Sequence, residues 1–183
     1  MSRTCIFLAD GFETIEALTV VDMLRRAGEE IFTVSITGEK RVTSSHKVTV
    51  ETDAVFEDVD YDTIDVLALP GGMPGTLNLA GCEKLMSLVK KHFEQGKTVA
   101  AICAAPSILG ELGLLKGKRA CCFPGYEEKL LGAEVSFREA ETDGNVITSR
   151  GMGTSVMFAA AILEKTAGKD SAEEVLGKIV YRQ

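Results

Sequence analysis

Residues 98–110 read TVAAICAAPSILG. An apolar run ends at Cys103, two alanines follow, and Pro106 opens a segment of helical composition. Proline is tolerated in a first helical turn, where its missing N–H costs nothing, so the thiol is expected on an abrupt strand-to-helix turn. A sulfur there projects at the carboxyl edge of the sheet, the edge at which open α/β sheets bind ligands. The helix amides and dipole favour a thiolate over a thiol, and the chemistry on offer is nucleophilic attack. So tight a turn needs small neighbours, which Ala100, Ala101, Ala104 and Ala105 supply.

A nucleophile generally needs a proton partner. Glu16 stands four residues before Val20 and seven before Met23, so it shares a helix face with apolar side chains rather than with Asp22 and Arg25. Burial disfavours the charge of a carboxyl group on such a face, and a protonated Glu16 can donate to a thiolate and later shuttle a proton. Glu13 reads as a first-turn acid interacting with the helix dipole, and Arg25 and Arg26 as a solvated helix end. His92, in the basic helix end KKHFEQG, reads as a capping or surface residue, and His46 adds little. Cys5, Cys82, Cys121 and Cys122 read as inert, since free cysteine is often buried as a small hydrophobe.

Glycines mark two loops at the same expected edge. In LPGGMPG (69–75), Gly71 and Gly72 follow a strand, where their amides could hold a developing oxyanion or simply make a tight turn. RGMGTS (150–155) leads into a helix opened by Thr154 or Ser155, and its amides are expected to line the same edge. GKT at 96–98 lacks the first glycine of a phosphate loop, because position 91 is Lys91. No GxGxxG follows the first strand, so there is no dinucleotide fingerprint.

The elements that must position these residues alternate. CIFLA (5–9), IFTVSIT (31–37), IDVLALP (64–70) and TVAAI (98–102) read as strands, separated by helical segments at 14–28 and 79–96. That order predicts an α/β fold with a doubly wound, mostly parallel sheet and helices on both faces. Residues 48–56 alternate as an edge strand, and 135–149 reads as a hairpin turning at Asp143-Gly144-Asn145. Helices at 154–168 and 171–182 close the chain.

With 183 residues, 45% hydrophobic and 26% charged, the chain has apolar material for one well-filled core and is read as one domain over 1–183. Twenty Lys and Arg against 27 Asp and Glu give a net charge of -7, no electrostatic reason to expect a nucleic acid or an anionic membrane as partner. A small molecule or another protein is expected instead. The first apolar run stops at Asp10, short of a secretory signal, and no stretch approaches the roughly 20 apolar residues of a membrane span. Five cysteines without a CxxC pair read as reduced thiols in the cytoplasm rather than a disulfide frame or a zinc site.

With AAICAAP around Cys103, LADGFETIEA around Glu16, LPGG at 69–72 and TSRGMGTS at 148–155, the chain resembles the ThiJ/PfpI superfamily. The branch it resembles is that of the parkinsonism-associated deglycase and its bacterial relatives, and the likeness runs over essentially the whole chain. It implies a flavodoxin-like α/β sandwich, usually a homodimer, whose elbow cysteine is hydrogen-bonded to a protonated glutamate of the first helix. Those roles fall on Cys103 and Glu16. The implied oxyanion amides are those of Gly72 and Ala104, and the implied arginine after the late strand is Arg150. No cofactor and no metal are implied. The leading activity is that of a glyoxalase or protein deglycase acting on small reactive carbonyls or glycated adducts, in stress protection. The alternatives are a redox sensor or chaperone working through oxidation of Cys103, and a protease-like cysteine hydrolase.

Two departures from the pattern bear on mechanism. The deglycase branch often has a histidine where CCFPGY has Phe123, and the protease-like branch carries histidine where Ala104 follows Cys103. Class I glutamine amidotransferases, which share the elbow, need a late His-x-Glu pair, whereas the last histidine here is His92.

Overall fold

Apolar strands alternating with amphipathic helices can bury both strand faces only under two helical layers. The computed structural model, described over residues 2–181, has that arrangement. The chain opens with β1 (Arg3–Leu8), α1 (Thr14–Arg26), β2 (Glu30–Ser35), β3 (Arg41–Thr43), β4 (Thr49–Glu51) and β5 (Ala54–Val55). It continues through β6 (Val66–Leu69), α2 (Gly75–Ala80), α3 (Glu83–Glu94), β7 (Thr98–Ile102) and α4 (Pro106–Glu111). It closes with β8 (Arg119–Ala120), β9 (Glu134–Val135), β10 (Ala140–Asp143), β11 (Val146–Ser149), α5 (Ser155–Ala167) and α6 (Lys169–Lys178).

Seven strands form the main sheet in the order β10-β11-β7-β6-β1-β2-β5. All pair in parallel except β10, which folds back antiparallel on β11. Ile6, Leu8, Ala68 and Ile102 face a layer built on Val20 and Leu24 of α1 and Phe158 of α5. Cys5, Phe7, Leu67 and Ala101 face the other layer, with Leu85 and Val89 of α3 and Leu109 of α4. Strands covered on both sides are apolar at every position, which is why β6 and β7 read as continuous runs. No helix among the described residues is long and apolar enough to cross a membrane.

Several expected elements differ in detail. The helix expected over 79–96 begins earlier and is two helices, because Gly81 ends α2 with its N–H on the Leu77 carbonyl and Cys82 is extended. The strand expected over 48–56 is also two pieces: β4 pairs with β3, whereas β5 joins the sheet beside β2. Between them Asp53 leaves the ladder so that its carboxylate can accept from the N–H and hydroxyl of Thr33. Only 140–149 of the expected hairpin forms one, turning at Gly144-Asn145, while β9 pairs with β8 in a separate ribbon. The last helix begins at Lys169, ahead of the expected Ser171, and ends at Lys178; Arg182 of that expected helix lies outside the described residues.

Ile102 is fully buried as the last residue of β7, directly before the elbow. Ile102→Ala is expected to cost about 2–5 kcal/mol of stability through the cavity it opens. The check is a lower urea midpoint at unchanged slope.

Candidate active site

β7 ends in mid-sheet, and the chain must reverse at once to start α4. Cys103 makes that reversal with φ +67°, a left-handed conformation uncommon for a residue with a side chain. Its neighbours hold it there from both sides. The Cys103 N–H donates to the Ser149 carbonyl at 3.0 Å, and its carbonyl accepts from the Phe123 N–H at 2.8 Å. Pro106 occupies the start of α4 as expected, and the Cys103 side chain is half-buried at the carboxyl edge.

Glu16 arrives from α1. The Glu13 carboxylate accepts the Glu16 N–H at 2.8 Å as an N-cap, a more specific role than the expected dipole contact. The Glu13 N–H donates to the Gly71 carbonyl at 2.9 Å, tying the start of the helix to the glycine loop. Glu16 itself is 1% exposed, on the apolar face with Ala17, Val20 and Met23, as its spacing predicts. Its Oε2 accepts from the Gly71 N–H at 2.8 Å, and its carboxyl group is hydrogen-bonded with the Cys103 thiol. Its Oε1 is buried with no hydrogen-bond partner.

The two glycines are required by space. A Cβ on Gly71 would stand 2.6 Å from Cys103 Cβ and 2.7 Å from Glu16 Oε2, so any side chain would separate the pair. Gly72 adopts φ +91°, and a Cβ on it would run into the backbone of Gly11, Phe12 and Glu13. The N–H groups of Gly72 and Ala104 both donate to Cys103 Sγ. The structure thus brings Gly71, Gly72, Ala104, Glu16 and Cys103 together.

Other expectations are modified. The amides of Arg150 and Gly151 do not line the edge as free donors, since both donate to Thr154 Oγ1, at 3.2 and 3.1 Å. The Arg150 guanidinium lies 5.6 Å from the Phe137 ring centroid, and its Nε is buried without a partner. His92 is neither at the surface nor at the site. It is 1% exposed, its Nε2 lies 3.2 Å from the Asp65 carbonyl, and burial lowers its pKa to about 4. Asp65 precedes β6, so this histidine belongs to the opposite end of the sheet from Cys103. Cys5, Cys121 and Cys122 are buried and Cys82 is half-buried. The sequence reading misses the backbone clamp from Ser149 and Phe123, because those contacts depend on strand register, which no motif in the sequence signals.

Burial raises the Glu16 pKa to about 7, as the largest of its causes; the hydrogen bonds from Cys103 and Gly71 oppose it. Burial and the neighbouring carboxyl group work against the expected low-pKa thiol. The Cys103 thiol is pushed up to about 12, first by burial and then by the charge and hydrogen bond of Glu16, against the amides of Ala104 and Gly72. The donors at the elbow favour the anion as expected, but burial and the adjacent carboxylate outweigh them. The upward push from Glu16 exists only while Glu16 is ionised. Above about pH 7 and below about pH 12 the two groups therefore carry a single negative charge between them, joined by one hydrogen bond.

An open α/β sheet with a strained cysteine elbow and an acid partner defines a class of cysteine-centred, flavodoxin-like proteins. The chain belongs to the DJ-1/PfpI family, whose pattern matches residues 2–165. It is 37% identical over 182 residues to protein DJ-1 homolog B of Arabidopsis thaliana, covering 98% of this chain but 42% of that protein. The chain thus spans less than half the length of that relative. It is 39% identical over 153 residues to a protein named deglycase from Pyrococcus abyssi, with 81% of this chain and 89% of that one covered. The solved structure of oxidized Toxoplasma gondii DJ-1 superposes with a TM-score of 0.95 at 30% identity, covering 100% of both chains.

A carboxyl whose pKa is raised in the folded state stabilises the fold below its unfolded pKa and loses that contribution as pH rises through the folded value. For Glu16, moving from 4.5 to about 7, the loss is about 3 kcal/mol. Glu16→Gln cannot ionise and escapes it. Urea unfolding at pH 4.5 and pH 8.5 should show the variant gaining by that order relative to the unsubstituted protein.

Proposed function

We propose that this chain is a cysteine-dependent enzyme that needs no cofactor and acts on small reactive carbonyls, 2-oxoaldehydes such as methylglyoxal or the adducts they form. The observation that carries the reading is the Cys103–Glu16 pair: a sulfur receiving two backbone N–H groups and bonded to a carboxyl that titrates near neutrality. The deglycase name of the Pyrococcus relative supports the same chemistry. A homodimer in the cytoplasm with a stress-protective role belongs to the same reading.

The raised thiol pKa gives the steps their order. The Glu16 carboxylate takes the thiol proton as Sγ adds to the aldehyde carbon, forming a C–S bond and opening the C=O to an oxyanion. The Gly72 and Ala104 amides, released from the sulfur as its charge moves, receive that oxygen. Glu16 returns the proton to give a neutral hemithioacetal. Moving the C–H proton to the neighbouring carbonyl carbon, and the hydroxyl proton to the neighbouring oxygen, produces the thioester of a 2-hydroxy acid without net oxidation. Water then cleaves the C–S bond, restoring the thiol. Methylglyoxal plus one water becomes lactate. In this scheme Gly71 holds the carboxyl in place, and Arg150 serves the rim of the site.

Incubation with methylglyoxal should yield lactate from the unsubstituted protein, and Cys103→Ser and Glu16→Gln should each lose at least about a hundredfold, the scale of general-base catalysis. Equal rates in all three would end the proposal. Because the carboxylate form of Glu16 is the base, kcat/KM should rise with pH through about 7 and then level off.

A second reading is favoured by one observation, that the structurally similar Toxoplasma protein is described in an oxidized form. Here Cys103 would be oxidised to a sulfinate and read by a partner. Mass spectrometry after mild peroxide should then find sulfinate at Cys103 ahead of the other four cysteines. Sulfinate without carbonyl turnover would favour sensing.

A further inference from the structure

The Cys103–Glu16 pair keeps one polar atom without a partner. Glu16 Oε1 is buried and makes no hydrogen bond. A Cβ placed on Gly151 would stand 4.0 Å from that oxygen and 3.2 Å from the Phe123 ring. The unpartnered oxygen and the aromatic ring therefore both border the position that a side chain on Gly151 would take. Phe123 is fixed to the elbow by its own N–H on the Cys103 carbonyl, yet its side chain is 46% exposed. A phenyl group that only filled the core would be covered. Met152, next to Gly151 in the chain, is 56% exposed, and Phe137 is 67% exposed under the Arg150 guanidinium. An exposed aromatic ring held against a reactive centre marks a ligand-binding surface.

We propose that Phe123 is the specificity-determining wall of the site and that the substrate is a 2-oxoaldehyde with an apolar, preferentially aromatic, substituent stacked on that ring. The proposal rests on the oxoaldehyde reading above and states which oxoaldehydes. When Sγ adds to the aldehyde carbon, the aldehyde oxygen takes the amides of Gly72 and Ala104. The rest of the molecule is left the side past Glu16 Oε1, toward Gly151 and Phe123. A phenyl substituent meets a phenyl wall there, an arrangement favoured beyond its burial alone. A hydroxylated, sugar-derived chain finds Glu16 Oε1 as one acceptor, but beyond it meets a ring that can pair none of its further hydroxyls. Gly151 takes part by having no side chain, since even a methyl group would crowd Phe123.

The test compares kcat/KM for phenylglyoxal and methylglyoxal in the unsubstituted protein, Phe123→Leu and Phe123→Ser. The expected preference for phenylglyoxal is about tenfold, the lower end of what one apolar contact contributes. It should shrink in Phe123→Leu and vanish in Phe123→Ser. A second measurement does not depend on turnover: the rates at which phenacyl bromide and bromoacetone alkylate Cys103, each scaled to free cysteine. In both reagents Sγ displaces bromide, so the reaction is shared and only the substituent differs. The phenacyl-to-acetone ratio should be raised about tenfold, fall in Phe123→Leu and be lost in Phe123→Ser. Equal ratios in the three proteins overturn the proposal whether or not any oxoaldehyde is turned over. A selective alkylation ratio without oxoaldehyde turnover keeps the aromatic wall and removes the oxoaldehyde reading.

Discussion

Two acids in contact inside a protein can share one negative charge far more easily than they can hold two. The Cys103–Glu16 pair is built on that constraint, and much of the surrounding structure serves to keep the two groups touching. α1 presents a carboxylate from an otherwise apolar face, its first turn pinned by the Glu13 cap. The strand-to-helix reversal presents the sulfur from the other side in a conformation that side chains rarely adopt. Neither placement is favourable alone: a buried acid and a strained cysteine each cost stability. Together they hold a proton that can move between sulfur and oxygen with little rearrangement.

Gly71 is the piece between them. Its N–H satisfies one carboxylate oxygen, its carbonyl anchors the start of α1, and the space a side chain would need is where the thiol meets the acid. The sheet supplies the remaining precision. β11 is registered on β7 so that Ser149 lies opposite Ile102, which puts the Ser149 carbonyl where the Cys103 N–H needs it. Chemistry at the elbow is therefore coupled to pairing between strands far apart in the sequence.

What the sequence discloses follows from what is local. Cys103 is legible because Pro106 and four alanines bracket it within a few residues, and Glu16 because helical spacing sets it among apolar neighbours. The alternating fold is legible because strands covered on both faces must be apolar throughout. The acidity of the thiol is not, since the helix start that favours the anion is local whereas the burial that opposes it is collective. Phe123 likewise reads as a departure from a pattern, and its position beside Gly151 emerges only when β8, β11 and the elbow close around one another. His92 misleads for the same reason: a basic helix end suggests solvent, but the ring folds inward onto the Asp65 carbonyl.

The two rims of the main sheet differ from its centre in a way that bears on solubility. β5 is only two residues long, and β10 is an antiparallel strand of four whose buried Glu141 lies 3.4 Å from the guanidinium of Arg119. Short outer strands and ionic side chains give a foreign strand little backbone to zip onto. A chain whose interior ribbons are almost wholly hydrocarbon is thus fenced against amyloid-like stacking by its least regular margins.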